Sequence, residues 1–158
     1  MIKSIITPAE VISLAFSDGG YIPPEAIAEI DIVAATERWV RPVVGEALLE
    51  RVAEGDYAEL RSDYIAPAVA FYTRYLVQPR LNVATSGLGL TSPAGSSHKA
   101  AERTSREELQ RALKIRARTA LKRLSAHLEQ NADEYADYTS SENILNHCCC
   151  DGGFVQIF

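Results

Sequence analysis

The stretch DYIAPAVAFYTRYLVQPRL, residues 63–81, is apolar on almost every side of a helix, with Arg74 and Arg80 its only charges after Asp63. A helix without a polar face has to be enclosed by other elements. Crossing a bilayer takes roughly 18–20 consecutive apolar residues, and no run in the chain reaches that length. The chain must therefore supply further helices to cover this one. Asp63 reads as its cap. Pro67 falls in the first four positions of a helix starting at Tyr64, where N–H groups have no intrahelical partner.

The covering helices are legible. Thr7-Pro8-Ala9-Glu10 is a helix start in which Thr7 caps, Pro8 suits the first position and Glu10 completes a capping box. Ser17-Asp18-Gly19-Gly20 stops it. Pro23-Pro24-Glu25 opens a second helix, with Ile27, Ile30, Val33 and Ala34 at three-to-four spacing and Asp31, Glu37, Arg38 and Arg41 on the wet side. Pro42 breaks or kinks it for want of an N–H. Val43, Val44, Ala47, Leu48 and Val52 make the stripe of a third helix, which Gly55 ends, and residues 56–61 form a short turn. A last long helix starts between Lys99 and Ser105 and runs to about Asn131, with Leu109, Leu113, Ala117, Ala120, Leu121, Leu124 and Leu128 on one narrow face. The predicted class is all-α, four to five helices in an irregular bundle. The helical domain spans residues 1–138 and a tail 139–158. Phe154 to Phe158 alternates like a strand, with no partner in view except residues 81–90.

Between the last two long helices lies NVATSGLGLTSPAGSSHKA, residues 82–100. A structureless loop of that length is uncommon in a compact domain. It reads as a β-hairpin or an arm, with Asn82, Val83, Leu88 and Leu90 placed to engage a neighbouring chain by strand addition. Charge is as uneven as hydropathy. Residues 1–63 hold five basic against twelve acidic side chains, residues 99–123 nine basic against three acidic, and the net charge is −5. An acidic end and a basic helix steer a chain toward a charged partner, including another copy of itself. The candidate contacts are Arg106, Arg111, Lys114, Arg118 and Lys122 on one copy and Glu46, Glu50, Glu54 and Asp56 on the next.

A nucleic-acid-binding regulator using the basic helix 99–123 is the alternative. The acidic balance of the whole domain argues against it, and Glu102 with Arg106 and Glu107 with Arg111 form the one-turn pairs of a solvated face. Tyr64, Tyr72 and Tyr75 are expected at the edge of the core. Base-stacking platforms interleave aromatics with basic residues, and only Arg74 and Arg80 are near in sequence.

No residue pattern points to catalysis or to a cofactor. His147-Cys148-Cys149-Cys150 is the one cluster of metal-ligand types, and a small metal or thiol protein built on it is a further alternative. Consecutive side chains do not converge on a tetrahedral centre, and three adjacent cysteines make no disulfide framework. Ser96-Ser97-His98 lacks an acid and a strand-turn-helix setting. Gly87, Gly89 and Gly95 lack the Gly-Lys-Ser/Thr of a phosphate loop. MIKSIITPAEV has neither the apolar core nor the cleavage site of a secretory signal, so a cytosolic product is expected.

The element order is a capped N-terminal helix, then PPEAIAEIDIVAATERWVRPVVGEAL, DYIAPAVAFYTRYLV, a glycine- and serine-rich loop, and a long charged helix ending LKRLSAHLEQNADEY. It resembles that of the small all-helical head–tail connector (adaptor) proteins of tailed phages and prophages, over about residues 5–138. The resemblance implies a non-enzymatic structural protein, with no catalytic residue, metal or cofactor. Such a protein forms a homo-oligomeric ring between portal and tail, and its loop before the last helix touches ring neighbours or portal and tail (stopper) components. It implies residence in the virion, or in the host bacterial cytoplasm during assembly, with no membrane and no direct DNA contact.

Overall fold

The computed structural model describes residues 4–17, 22–81 and 103–147, and the backbone of 84–86, 89–91, 149–151 and 154–156. The fold is all-α. Among the described residues it consists of five helical rods. The first is α1 (Pro8–Ala15). The second joins α2 (Glu29–Ala35), a π-turn (Thr36–Val40) and α3 (Arg41–Val44). The third is α4 (Glu46–Glu54), and the fourth joins α5 (Ala58–Leu60), a second π-turn (Arg61–Ile65) and α6 (Ala66–Leu81). The fifth is α7 (Arg103–Gln130). Two short antiparallel hairpins are added, β1 (Ala84–Ser86) with β2 (Gly89–Thr91) and β3 (Cys149–Asp151) with β4 (Phe154–Gln156).

Enclosure of α6 organises the rods: α1, α2 and α7 all pack against it. The core they close includes Val11, Ile32, Val40, Leu48, Ile65, Val69, Leu124 and Leu128. At roughly 25 cal/mol per Å² of apolar surface removed from water, each fully buried aliphatic side chain is worth on the order of 1.5–3 kcal/mol.

Three prolines, Pro42, Pro67 and Pro79, lie inside this helical framework, and the chain accommodates them in two ways. Pro42 does not end its helix. The preceding turn widens, so that the Arg41 N–H donates to Thr36 O, five residues back. Pro67 follows a π-turn at the same offset, with the Ala66 N–H donating to Arg61 O. A proline ring collides with the carbonyl four residues before it, and a widened turn moves that carbonyl aside. The fourth rod consequently begins at Ala58, after Tyr57 in the left-handed region (φ 53), and Asp63 lies inside it rather than capping it. Pro79 has no such turn. Its missing N–H strands Tyr75 O, which instead accepts 2.7 Å from Gln110 Nε2 on α7.

Charged side chains pin the rods to one another. Glu10 accepts from the Thr7 N–H (2.7 Å), completing the predicted capping box, and pairs with Arg61 (2.9 Å), which also donates to Ile5 O (3.0 Å). Buried Arg74 lies over the Phe16 ring (4.5 Å) and donates to Ala15 O in the last turn of α1. Arg80 reaches across to Asp31 (2.7 Å). That pair lies on the buried face of the second rod. Asp31 faces inward beside Ile32 and Ala35, whereas Ile30 is 69% exposed, so these two exchange their predicted sides, while Ile27 is buried and Arg38 exposed as predicted. Asp31 also accepts from the Ala28 N–H (3.2 Å), so the helix starts at Glu29, after a separate turn at Pro24–Ala26. A further break at Gly45 (φ 87) rotates α4 so that Leu49 is buried and Ala47 exposed. Gly55 (φ 109) ends α4 as expected.

The packed body extends past residue 138. Glu129 on α7 accepts from Tyr138, from Ser140 (2.7 Å), from Asn146 (2.6 Å) and, more distantly, from Asn143 (3.4 Å). Asn143 is itself buried and donates to Ser125 Oγ (2.8 Å). Residues 139–147, expected to belong to a tail, are thus tied to the last helix. These hydrogen bonds, Tyr138's foremost, hold the Glu129 carboxyl below its ordinary value of 4.5. Burial, and then the bond to Glu129, push the Tyr138 hydroxyl up to about 12.

Two outcomes follow. Gln110→Ala should destabilise the protein by about 0.5–1.5 kcal/mol, the usual net worth of a hydrogen bond whose half-buried acceptor water can then reach. In a Pro79→Ala background, where an N–H returns to Tyr75 O, most of that loss should vanish in urea unfolding. The Glu129–Tyr138 contribution should be complete between pH 4.5 and 10. It should fade as pH falls through the lowered Glu129 value, and as pH rises toward about 12. Hydrogen exchange of residues 138–147 across that range, with Glu129→Gln as the control lacking the acid limb, measures it.

Candidate functional site

The π-turn before Pro42 has a consequence at the surface. It presents Trp39 to α6, where the indole stacks on Tyr72 (4.6 Å between ring centres, 11° between planes) and meets the edge of Tyr75 (6.1 Å, 78°). Pairs of this geometry add about 0.5–1.5 kcal/mol beyond their burial. The aromatic group forms one wall of a cleft of about 540 Å³ between the second rod, α6, α7 and the 144–145 turn. Leu76, Leu121 and Leu145 are its apolar lining. Arg38, Lys114, Arg118 and Lys122 also line it, and the Arg38 guanidinium lies 5.0 Å above the Trp39 ring. Burial raises the Tyr72 hydroxyl above its ordinary value, with nearby Arg118 opposing that shift.

Electrostatically this cleft is unlike the N-terminal rods, although Arg106, Arg111 and Arg123 elsewhere on α7 also have no carboxylate within 4.0 Å among the described residues. Arg41, Arg51, Arg61, Arg80 and Arg103 each have a carboxylate within 3.5 Å. Arg74 is buried and hydrogen-bonded, and Arg116 also has a partner. Among the described residues no carboxylate lies within 4.0 Å of Arg38, Lys114, Arg118 or Lys122. In a chain of net charge −5, four cations without an ion pair converge on one apolar cleft. Low-dielectric walls concentrate such a field.

Of the residues singled out from sequence, Lys114, Arg118 and Lys122 meet at this cleft. Arg111 is exposed on the same helix and Arg106 is half-buried, both outside the lining. Glu46, Glu50 and Glu54 form an exposed stripe at four-residue spacing on α4. Glu46 is already held by Arg41 (2.7 Å), and Asp56 by Arg51 (3.5 Å). Glu107 is taken by Arg103 (2.7 Å) rather than Arg111. Asn82, Val83 and Leu88 lie outside the described residues. Leu90 is in β2, whose backbone faces Thr85 of its own chain, so strand pairing there is internal. The tyrosines pack at the edge of the core as expected, but Tyr72 and Tyr75 have basic neighbours, contributed by α7, that are distant in sequence. Arg38, Trp39, Pro79 and Ile144 were not singled out. The available signal was a lone tryptophan in the turn before Pro42, with tyrosines three residues apart on the central helix.

A second, shallower groove of about 380 Å³ lies between α6 and α7, lined by Tyr64, Phe71, Arg123 and Ile115, the last 65% exposed. Tyr64 is covered there by His127 (3.9 Å, 15°) and Arg123 (5.0 Å). His147 donates to Ser141 O (2.7 Å), and Cys148 is outside the described residues. Among the described residues no three His, Cys, Asp or Glu side chains are grouped to hold a metal, and no helix is long and apolar enough to cross a membrane.

A family model described as a family of unknown function, DUF6712, matches residues 40–147, well over half of the chain, and the chain belongs to that family. The match includes every cleft residue except Arg38 and Trp39. No curated protein and no solved structure matches the chain.

Trp39 is the only tryptophan and reports on the cleft directly. At low ionic strength iodide should quench its fluorescence more strongly than caesium does. Raising the salt to about 1 M, where the screening length falls to about 3 Å, should erase the difference. So should the triple substitution Lys114→Gln, Arg118→Gln, Lys122→Gln.

Proposed function

We propose that this DUF6712 protein is a non-enzymatic structural subunit that assembles head-to-tail into a homo-oligomeric ring, in the manner of the phage head–tail connectors it resembles. One observation carries the reading: cations without ion pairs gather on the α7 side, while exposed carboxylates stand in a row on α4. Two different surfaces of one chain that complement each other make a heterologous contact, and a heterologous contact whose rotation closes makes a ring. Such charges act on encounter and register more than on final affinity. Portal and tail components would then occupy the two faces of the ring.

The nucleic-acid reading gains the cations around Tyr72 and Tyr75 and loses the aromatic platform. Trp39 is covered by Tyr72 and by Arg38, and Tyr72 is buried against Trp39. That leaves Tyr75, half-buried and in edge contact with Trp39, as the one ring of the three without a stacked partner, where stacking of successive bases needs several.

Charge exchange tests the assembly. Arg118→Glu with Lys122→Glu should reduce oligomer at about 50 mM salt, in sedimentation velocity or on isolated portal rings. Glu50→Lys with Glu54→Lys should do the same. An equimolar mixture of the two double variants should recover association, because each then offers the other a restored pair. Oligomer populations that ignore all three manipulations would refute the electrostatic contact.

A further inference from the structure

The cleft is apolar within and basic at its rim, so its occupant needs an aliphatic or aromatic side chain bordered by carboxylates. Of the large apolar side chains exposed on the described surface, Ile30 fits. It is the most exposed of them, it follows Glu29, and Glu37 lies one heptad on, along the same side of the rod. Val33 and Ala34, half-buried between them, complete an aliphatic ridge. Ile115 does not fit, since Arg111, Lys114, Arg116 and Arg118 surround it on α7. Glu37 is joined through Arg41 to Glu46 (2.5 and 2.7 Å), so the ridge borders the acidic stripe of α4.

The ridge does not occupy the cleft of its own chain. Ile30 sits nine residues before Trp39 on the same continuous rod, roughly 13 Å away along the axis at 1.5 Å per residue, and it is absent from the cleft lining. We infer that the cleft receives the Ile30 ridge of a second copy, with Ile30 over the Leu76–Leu121–Leu145 surface beside Trp39 and Glu29 against Lys114, Arg118 and Lys122. This rests on the head-to-tail assembly proposed above and supplies its apolar anchor. Ridge and cleft lie on different parts of one chain, so each copy gives one and receives one.

Trp39 fluorescence tests the contact without requiring a complete ring. The unmodified protein, at micromolar concentration, is titrated to about 1 mM with a Trp39→Phe copy, which is dark and offers its ridge. Trp39→Tyr replaces it if the Phe variant does not fold. Trp39 emission should change saturably. Ile30→Arg in the dark copy should move the midpoint by at least about tenfold, as removal of an interface anchor does, and Ile30→Val should not. An unchanged curve with Ile30→Arg overturns the anchor; if Glu50→Lys, Glu54→Lys in the dark copy still weakens it, the assembly reading stands alone. No emission change alongside oligomers in sedimentation also overturns the anchor only. Neither emission change nor oligomer, free or on portal rings, overturns both. A single-stranded oligonucleotide that shifts Trp39 at lower concentration than the dark copy does would reassign the cleft to nucleic acid.

Discussion

Every carbonyl of a buried helix needs a donor, and the central helix here contains prolines that remove donors. The structure's layout follows from how that demand is met. At Pro67 the turn widens and the helix supplies its own bond, five residues back. At Pro79 it does not, and the donor for Tyr75 O comes from Gln110 on the last helix. This bond ties α6 to α7 at the place where the two begin to part around the cleft, to which Tyr75, Pro79 and Gln110 all contribute.

The same economy governs the charges. On the N-terminal rods the arginines are spent on internal work: Arg61 on the capping carboxylate of α1, Arg74 on the last carbonyl of α1 that it reaches, Arg80 on Asp31, Arg41 on two glutamates at once. Exposed pairs of this kind contribute little stability and accompany a rotation of the rods that burial of residues such as Ile32 and Ala35 sets. Ile30 is turned outward where Asp31, Ile32 and Ala35 face the core. The cleft cations have no such employment within the described chain, and that contrast gives the proposed assembly its physical footing.

Much of the fold was legible in the sequence. The capping box of α1, the stop at Gly55, the apolar stripe of α7 and the burial of α6 all follow from short-range rules, because caps, glycine φ values and helical period depend on residues within a turn or two. The rotation of the second rod was not legible. Ile27, Ile30 and Ala34 have sound helical spacing, but tertiary packing buries Ile32 and Ala35 instead of Ile30 and brings Asp31 to an arginine 49 residues away. Nor was the binding of residues 139–147 to Glu129, since the carboxylate and its donors become neighbours only once the chain has folded back.

The candidate site divides along the same line. Sequence alone determined that the chain is all-α, that α6 lies at its centre, and that positive charge is concentrated on the last helix, because composition and period are local properties. Only the tertiary structure decided which of those charges act together. Lys114, Arg118 and Lys122 join Arg38 and Trp39 because α7 crosses α6 beside the widened turn before Pro42, and helix crossing depends on packing between residues far apart in the chain.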